Sequence, residues 1–294
     1  MRMKKLFYYF IILSFLAVSP ALSVAGDQAD LGDWWNKSAK SYDPVPNELL
    51  HHFELSYSFA KGSGNRDSEN HNGKASLTLR KNIFTSETKY SIRESELSSS
   101  LAPADTISSE VKIFNQEILA AVTKSIDILA GYRFASNDIT AIDSRNVFYG
   151  GFAWQYSVES IGISGNLGLS GGYSTSSYTD FVSKALGTIS VDDYETPIIR
   201  LSQSLNWKIT DNISFSDNIF YMSMLKDTEY FFSKMTFSLN FKINKYLSFF
   251  TSYNIDYDSN PRFEAIDTAL KNAGSAAAVY DKDTRISTGI KLSF

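Results

Sequence analysis

Residues 234–242, KMTFSLNFK, alternate polar and apolar side chains without a break. The apolar residues are Met235, Phe237, Leu239 and Phe241, and polar residues occupy every position between them. Successive side chains of a β-strand point to opposite faces, whereas an amphipathic helix repeats its apolar residues every three or four positions. The stretch therefore predicts a strand with one apolar and one polar face.

The same alternation recurs from His51 to the end of the chain. Strands are predicted at 52–60, 73–81, 83–94, 109–122, 126–135, 145–157, 161–174, 194–209, 213–225, 230–243, 246–257 and 284–294. Most of them reach the ~9–11 tilted residues that cross a bilayer, while strands of soluble sandwiches typically run ~5–6 residues. The sequence predicts an all-β fold, a transmembrane antiparallel up-and-down β-barrel of about twelve strands.

The links between the predicted strands alternate in length. Tight turns such as 81–82 and 210–212 alternate with longer polar stretches such as 175–193 and 258–283. Only the link around 226–227 is short where a long one is expected. Short periplasmic turns and long outer loops are typical of bacterial outer-membrane barrels. An even number of strands places both ends of the barrel on the periplasmic side.

The first 25 residues predict a secretory signal peptide. MRMKK is positively charged, LFYYFIILSFLAV is apolar, and small residues lead to a cleavage site after Ala25. Residues 26–51 are then a periplasmic extension, and 52–294 form the barrel. In the extension, Trp34 and Trp35 either lie at a membrane interface, where tryptophan is enriched, plug the barrel mouth or belong to a loosely ordered tail.

Composition excludes several classes of protein. The mean hydropathy of -0.18 excludes a helical membrane bundle, which needs several apolar runs of ~20 residues. The absence of cysteine excludes disulfide scaffolds and thiolate metal sites. The predicted signal holds three of the 28 basic residues, so 25 remain against 32 acidic residues, a balance of −7. That balance argues against nucleic-acid binding.

Asp217 and predicted strand four depart from simple alternation. Asp217 is in phase with the apolar residues of its strand, and the apolar phase of strand four changes between Ile113 and Ile118. A charge on the lipid face of a barrel is unfavourable. We expect a β-bulge in both strands, or for Asp217 a position near the barrel rim.

The polar faces of the predicted strands are rich in basic residues. The predicted lumen-lining residues are Lys74, Arg80, Lys89, Arg93, Arg133, Arg200, Lys208, Lys234, Lys242, Arg285 and Lys291. Glu54, Glu87, Asp127 and Asp256 share that face. A twelve-strand barrel lies between ~8-stranded barrels, which side chains fill, and open porins of ~16–18 strands. Long basic side chains then either nearly close the lumen or, if water passes, favour anions.

No catalytic, cofactor or metal site is predicted. A hydrolase would need a serine activated by a histidine, and the only histidines are His51, His52 and His71. No serine stands two residues after any of them, the spacing that aligns two groups on one strand face. Asp67 and Glu69 lie near His71, but neighbours within one loop are a weak basis for a protease or metal site.

Three stretches carry a resemblance to a known family. They are FELSYSFAKGSGNRDSEN at 53–70, NWKITDNISFSDNIFY at 206–221, and SYNIDYDSNP followed by DKDTRISTGIKLSF in the last 43 residues. The chain resembles the YdiY-like family of salt-induced outer-membrane proteins, whose strand is followed by a Ser-Gly-Asn-x-Asp turn, here 63–67. The resemblance covers roughly 52–94 and 194–294. It implies an outer-membrane barrel of uncharacterised function, with no catalytic residues.

The sequence predicts an integral outer-membrane protein, either a narrow or gated pore or a structural envelope protein without catalysis. The alternatives are a barrel whose extracellular loops bind a partner, and a lipid-modifying enzyme. Predicted partners are outer-membrane lipids, the barrel-assembly machinery and, for a pore, small solutes, but not nucleic acid. Phe294, on the apolar face of the last strand, is the predicted assembly signal.

Overall fold

The computed structural model describes residues 37–42, 45, 47–62, 66–99, 102–138, 142–183, 187–260, 265, 268, 272 and 282–294. The predicted signal peptide and the Trp34-Trp35 pair lie outside these residues. No helix in the described part is long and apolar enough to span a membrane.

Twelve antiparallel strands form one closed barrel. They are β1 (Leu50–Gly62), β2 (Arg66–Lys81), β3 (Phe84–Ser99), β4 (Ala102–Ala121), β5 (Ile126–Asn137), β6 (Ile142–Val158), β7 (Ile163–Tyr178), β10 (Tyr194–Lys208), β11 (Ile213–Met224), β12 (Phe231–Lys242), β13 (Leu247–Asp258) and β14 (Lys282–Ser293). Two short strands, β8 (Phe181–Ser183) and β9 (Gly187–Ile189), form a separate hairpin between β7 and β10.

Strands β1 and β14 close the barrel. Their register runs from Glu54 opposite Ser293 to Phe59 opposite Thr288. Beyond it, the Phe53 amide donates to the Phe294 carbonyl at 2.9 Å and the Phe294 amide donates to the Phe53 carbonyl at 2.8 Å. The end of the chain therefore pairs with the first strand, and the sheet has no free edge there.

The predicted fold class and strand number are confirmed, but several strands extend further than predicted. β2 begins at Arg66 rather than residue 73, and β4 begins at Ala102 rather than residue 109. These extensions lie on the side of the barrel opposite the tight turns. Residues 66–72 are all polar and residues 102–108 do not alternate polar with apolar side chains, so the pattern that marks a membrane-crossing strand is absent there.

The two faces of the barrel wall differ in chemistry. Large apolar side chains are exposed on the outside, among them Phe152 at 60% and Ile286 at 67%. Arg80, Arg145 and Arg200 are buried on the inward face. Monomeric soluble proteins rarely expose a large contiguous apolar surface. The barrel thus has the outward apolar face and polar interior of a membrane-spanning barrel.

The bulge predicted in β4 is wrong. β4 keeps an unbroken register with β5 from Val111 to Ala121. The registers place Ile113 and Leu119 on the inward face and Ile118 on the outward face, where it is exposed. The change of apolar phase therefore arises because β4 has apolar residues on its inward face, not because of an extra residue.

The bulge predicted at Asp217 is also wrong. β11 pairs regularly with β10 and β12, and Asp217 stays on the outward face between Leu205 and Phe237. The Gln203 amide lies 3.4 Å from both carboxylate oxygens, and Asp217 is buried. Asp217 is only four residues from the start of β11 at the periplasmic turn, so its carboxylate is shielded by neighbours on the periplasmic side of the wall.

Candidate functional site: the charged interior of the barrel

The pairing registers locate the predicted lumen-lining residues on the wall. Directly paired residues point to the same side of a sheet, and Arg80 is a buried inward residue. Following the registers around the barrel from Arg80 places all the predicted positions on the inward face: Lys74, Arg80, Lys89, Arg93, Arg133, Arg200, Lys208, Lys234, Lys242, Arg285 and Lys291. Whether these side chains line a path for solutes stays a prediction.

An ion pair crosses the interior between β6 and β13. These strands are five positions apart in the barrel order, close to the six that separate opposite walls. The Arg145 guanidinium nevertheless donates to Asp258 Oδ1 at 3.2 Å, and both side chains are buried. The Arg145 guanidinium carbon also lies 5.9 Å from the centre of the Phe232 ring. This pair therefore spans nearly the whole width of the barrel.

A second crossing contact joins β10 to β4, four positions away in the barrel order. Arg200 Nη2 donates to Glu117 Oε1 at 2.6 Å, and its guanidinium carbon lies 4.2 Å from the centre of the Tyr149 ring. The Tyr149 hydroxyl lies 2.7 Å from Glu117 Oε1 and 3.0 Å from Asn115 Oδ1. Arginine, tyrosine and glutamate thus form one hydrogen-bonded group in the interior.

Asp256 on β13 is the centre of a basic cluster. Arg285 Nη2 lies 3.3 Å from Asp256 Oδ2 and Lys234 Nζ lies 3.5 Å from Oδ1. Arg93 Nη1 reaches to 3.8 Å of Oδ2 from β3, four positions away in the barrel order. Three cations from three different strands therefore contact one carboxylate.

Arg133 on β5 packs on aromatic rings. Its guanidinium carbon lies 5.0 Å from the centre of the Phe220 ring and 5.3 Å from that of Phe232. Among the described residues, no carboxylate lies within ion-pair distance of Arg133. Cation–π contacts of this kind favour the charged form without neutralising it. Arg133 therefore adds to the positive charge of the interior.

Other predicted cations pair with neighbouring carboxylates or are exposed. Lys89 pairs with Glu87 at 2.6 Å and Lys291 with Glu54 at 3.4 Å. Lys74 and Lys242 are exposed. At the periplasmic end, a hydrogen bond from Lys208 holds the pKa of Asp211 below its usual range.

Sequence reasoning missed four inward residues that form the crossing contacts: Arg145, Tyr149, Glu117 and Asp258. β6 has apolar residues on both faces, so alternation did not identify its inward side. Asp258 ends β13 one residue beyond the predicted strand. Which of these residues meet across the interior became clear only from the order of the strands in the closed barrel.

The described inward side chains carry an excess of positive charge. Twelve of them are basic: Lys74, Arg80, Lys89, Arg93, Arg133, Arg145, Arg200, Lys208, Lys234, Lys242, Arg285 and Lys291. Six of them are acidic: Glu54, Glu87, Glu117, Asp127, Asp256 and Asp258. The surplus of six cations must be solvated by water and balanced by mobile anions or by residues outside the described part.

Residues 54–271 match the family model DUF481, described as a protein family of unknown function. The chain belongs to this family. The sequence resemblance to the YdiY-like family is confirmed, because DUF481 is that family. The match covers β1 to β13 of the barrel. No curated protein matches the chain.

Solved structures similar to this DUF481 member are also barrels. The COG4313 outer membrane channel from Pseudomonas putida F1 aligns at TM-score 0.45 and 10% identity, over 90% of this chain and 99% of that chain. The NanC porin aligns at TM-score 0.43 and 11% identity, over 82% and 97%. The translocator domain of autotransporter NalP from Neisseria meningitidis aligns at TM-score 0.41 and 8% identity, over 84% and 86%.

Two of the three histidines of the DUF481 barrel contact residues of their own sheet. His71 Nδ1 lies 2.6 Å from the Tyr57 hydroxyl on the outward face. His52 Nε2 lies 3.2 Å from Glu54 Oε1 on the inward face. Among the described residues, no three histidine, aspartate or glutamate side chains are grouped as metal ligands. The absence of catalysis stays a prediction.

Proposed function

We propose that this protein is an integral outer-membrane β-barrel whose interior is a narrow, gated path that prefers anions. The observation that carries the proposal is the surplus of basic over acidic side chains on the inward face of a closed barrel. The exposed apolar outer wall supports a location in the outer membrane, because lipid covers such a surface. A cleaved signal peptide would bring the chain there.

The preference for anions follows from the field inside the barrel. Arg133 has no carboxylate partner among the described residues, and twelve basic side chains face inward against six acidic ones in the described part. Rings of lysine and arginine attract anions and repel cations in a narrow pore. An interior of low dielectric constant strengthens this effect compared with bulk water.

The gating follows from the crossing contacts. Arg145–Asp258 and Arg200–Glu117 each join strands on different sides of the barrel, so they occupy the space through which a solute would pass. Conduction then requires at least one of these pairs to open. The same contacts support a second candidate, a structural envelope protein with a permanently closed interior. For either role we propose no catalysis.

Single-channel recording separates the two candidates. We expect small, discrete current steps when the refolded protein is inserted into a planar bilayer, and larger or longer openings for Asp258→Asn, which weakens the crossing pair. Asp192→Asn, an exposed residue of the loop before β10, is the matched control and keeps the native behaviour. If neither the native barrel nor Asp258→Asn conducts a current, the structural role is favoured.

A further inference from the structure

A short segment that precedes the barrel strands lies in the periplasmic mouth of the barrel. Residues 37–42, called the strap, include a 3-10 turn at Ala39–Ser41. Ser38 is 1% exposed and Ala39 2% exposed, although neither belongs to a barrel strand. A serine buried this completely needs a hydrogen-bond partner. The strap therefore fits against the barrel instead of extending freely into solvent.

The strap is bound to the turn between β4 and β5. The Ser38 hydroxyl donates to Asp127 Oδ1 at 2.7 Å. Lys40 Nζ donates to the Val122 carbonyl at 2.8 Å, and the Ser41 hydroxyl donates to the Lys124 carbonyl at 2.8 Å. Asp127 faces inward at the start of β5, so Ser38 enters the mouth itself.

Three further contacts hold the strap on the two sides of that turn. On the β2 side, Arg80 Nη2 donates to the Lys37 carbonyl, and the guanidinium carbon lies 5.8 Å from the centre of the Tyr42 ring. On the β6–β7 side, Lys37 Nζ lies 3.7 Å from Glu159 Oε1. The contacts thus extend from β2 to the turn after β6, across five consecutive strands of the twelve in the barrel.

We propose that the strap is a periplasmic gate that covers about half of the barrel mouth. Arg80 and Asp127, which bind it, are charged inward residues that water can solvate when the strap leaves. Its described contacts are mostly hydrogen bonds to turn carbonyls and to these two side chains. Local opening of such a segment does not require the barrel to unfold.

The reactivity of a cysteine introduced beneath the strap measures how often the gate opens, and it requires no measurement of ion flow. The chain has no cysteine, so an introduced thiol is unique. Thr78 faces inward two residues from Arg80 and is buried. Thr78→Cys in the otherwise native barrel is compared with the same substitution in a chain lacking residues 37–42. The rate of reaction with a charged maleimide is measured, and heat-modifiable electrophoretic mobility checks that each barrel is folded.

We expect the thiol to react about tenfold faster or more without the strap, since a released state populated at about 10% or less limits access in the native chain. The control is Asp192→Cys, an exposed residue of the loop before β10, outside the barrel interior, whose rate does not change. Equal rates at Thr78→Cys in the two folded chains would overturn the proposal. If the deletion prevents folding, the double variant Ser38→Ala with Lys40→Ala, which keeps the chain length, takes its place. This variant must still accelerate the reaction of the Thr78→Cys thiol with the maleimide.

A disulfide tests the placement of the strap. Ser41→Cys with Lys124→Cys should cross-link under mild oxidation, because the Ser41 hydroxyl already contacts the Lys124 backbone. Ser41→Cys with Asp211→Cys, a fully exposed residue of the β10–β11 turn, should not. The cross-linked strap should also keep a thiol introduced at Thr78 unreactive until a reductant is added. Failure of the first pair to cross-link in a folded barrel contradicts the proposed position.

Discussion

Arg145 and Asp258 illustrate how two side chains can close a barrel. Each side chain is almost fully buried, at 4% and 8% exposed, and they reach each other from nearly opposite walls. Burial removes the water that would otherwise solvate both charges, so each depends on the other. Loss of one partner leaves an unpaired charge in the interior.

We expect Arg145→Ala to lower the free energy of unfolding by about 3–5 kcal/mol, the usual cost of breaking a buried ion pair from one side. Urea unfolding of the barrel in detergent micelles measures this change. The double variant Arg145→Met with Asp258→Leu should recover most of the loss, because it leaves no unpaired charge. Equal destabilisation by the single and double variants would mean that the pair does not carry the effect.

Gly131 makes room for the central hydrogen-bonded group. A Cβ at this position would overlap the Tyr149 ring, whose hydroxyl donates to Glu117 and whose face contacts the Arg200 guanidinium. We expect Gly131→Ala to move the ring and to destabilise the barrel by about 1–3 kcal/mol, as overpacking usually does. Gly171→Ala is the control, since its Cβ would meet only the Ile198 carbonyl, at 3.8 Å. Matching stability of the two variants would contradict this role.

At the scale of the elements, the strand pattern could be predicted where one face meets lipid and the other does not. The predicted and observed starts of β5, β10 and β11 coincide at Ile126, Tyr194 and Ile213. The outer ends of β2 and β4 were missed, because neither stretch alternates polar with apolar residues. The β8–β9 hairpin is three residues per strand, too short to show a period.

The candidate site was predictable only in part. Lysine and arginine in an alternating pattern identify an inward face, since lipid excludes them from the other one. The partners across the interior could not be predicted, because Arg145 and Asp258 are 113 residues apart and meet through barrel closure. The bulge expected at Asp217 is absent for a local reason: Gln203 on the adjacent strand lies beside the carboxylate, which stays on the outward face where alternation places it.

Phe294 belongs to the closing strand pair. It exchanges two backbone hydrogen bonds with Phe53, and its ring stacks on Tyr246 with centroids 6.0 Å apart. We expect deletion of Phe294 to lower the yield of barrel in the outer membrane, because the assembly machinery then meets an incomplete last strand. The control is Phe84→Ala, an aromatic residue of similar exposure at the start of β3. Wild-type yield of the deleted chain, measured in membrane fractions, would contradict the role of Phe294.

At the scale of the whole molecule, charge is separated between the interior and the rest of the chain. The full chain has a net charge of -4, although its inward face is rich in basic residues. Acidic residues collect on the outward face at the outer ends of β2 to β4, where Glu69 lies opposite Glu96 and Glu94 opposite Glu110. Like charges directly opposite each other destabilise a sheet. Solvation of these carboxylates by water must reduce their repulsion.

The reversal potential in a KCl gradient tests the central claim, that a basic interior makes this barrel prefer anions. The refolded protein is inserted in a planar bilayer with different KCl concentrations on the two sides, and the potential at zero current gives the ratio of chloride to potassium permeability. We expect a reversal potential displaced towards the chloride equilibrium potential, and a smaller displacement for Arg133→Gln. A potential displaced towards the potassium equilibrium value would contradict the account, because the inward and outward faces of the barrel would then be wrongly assigned.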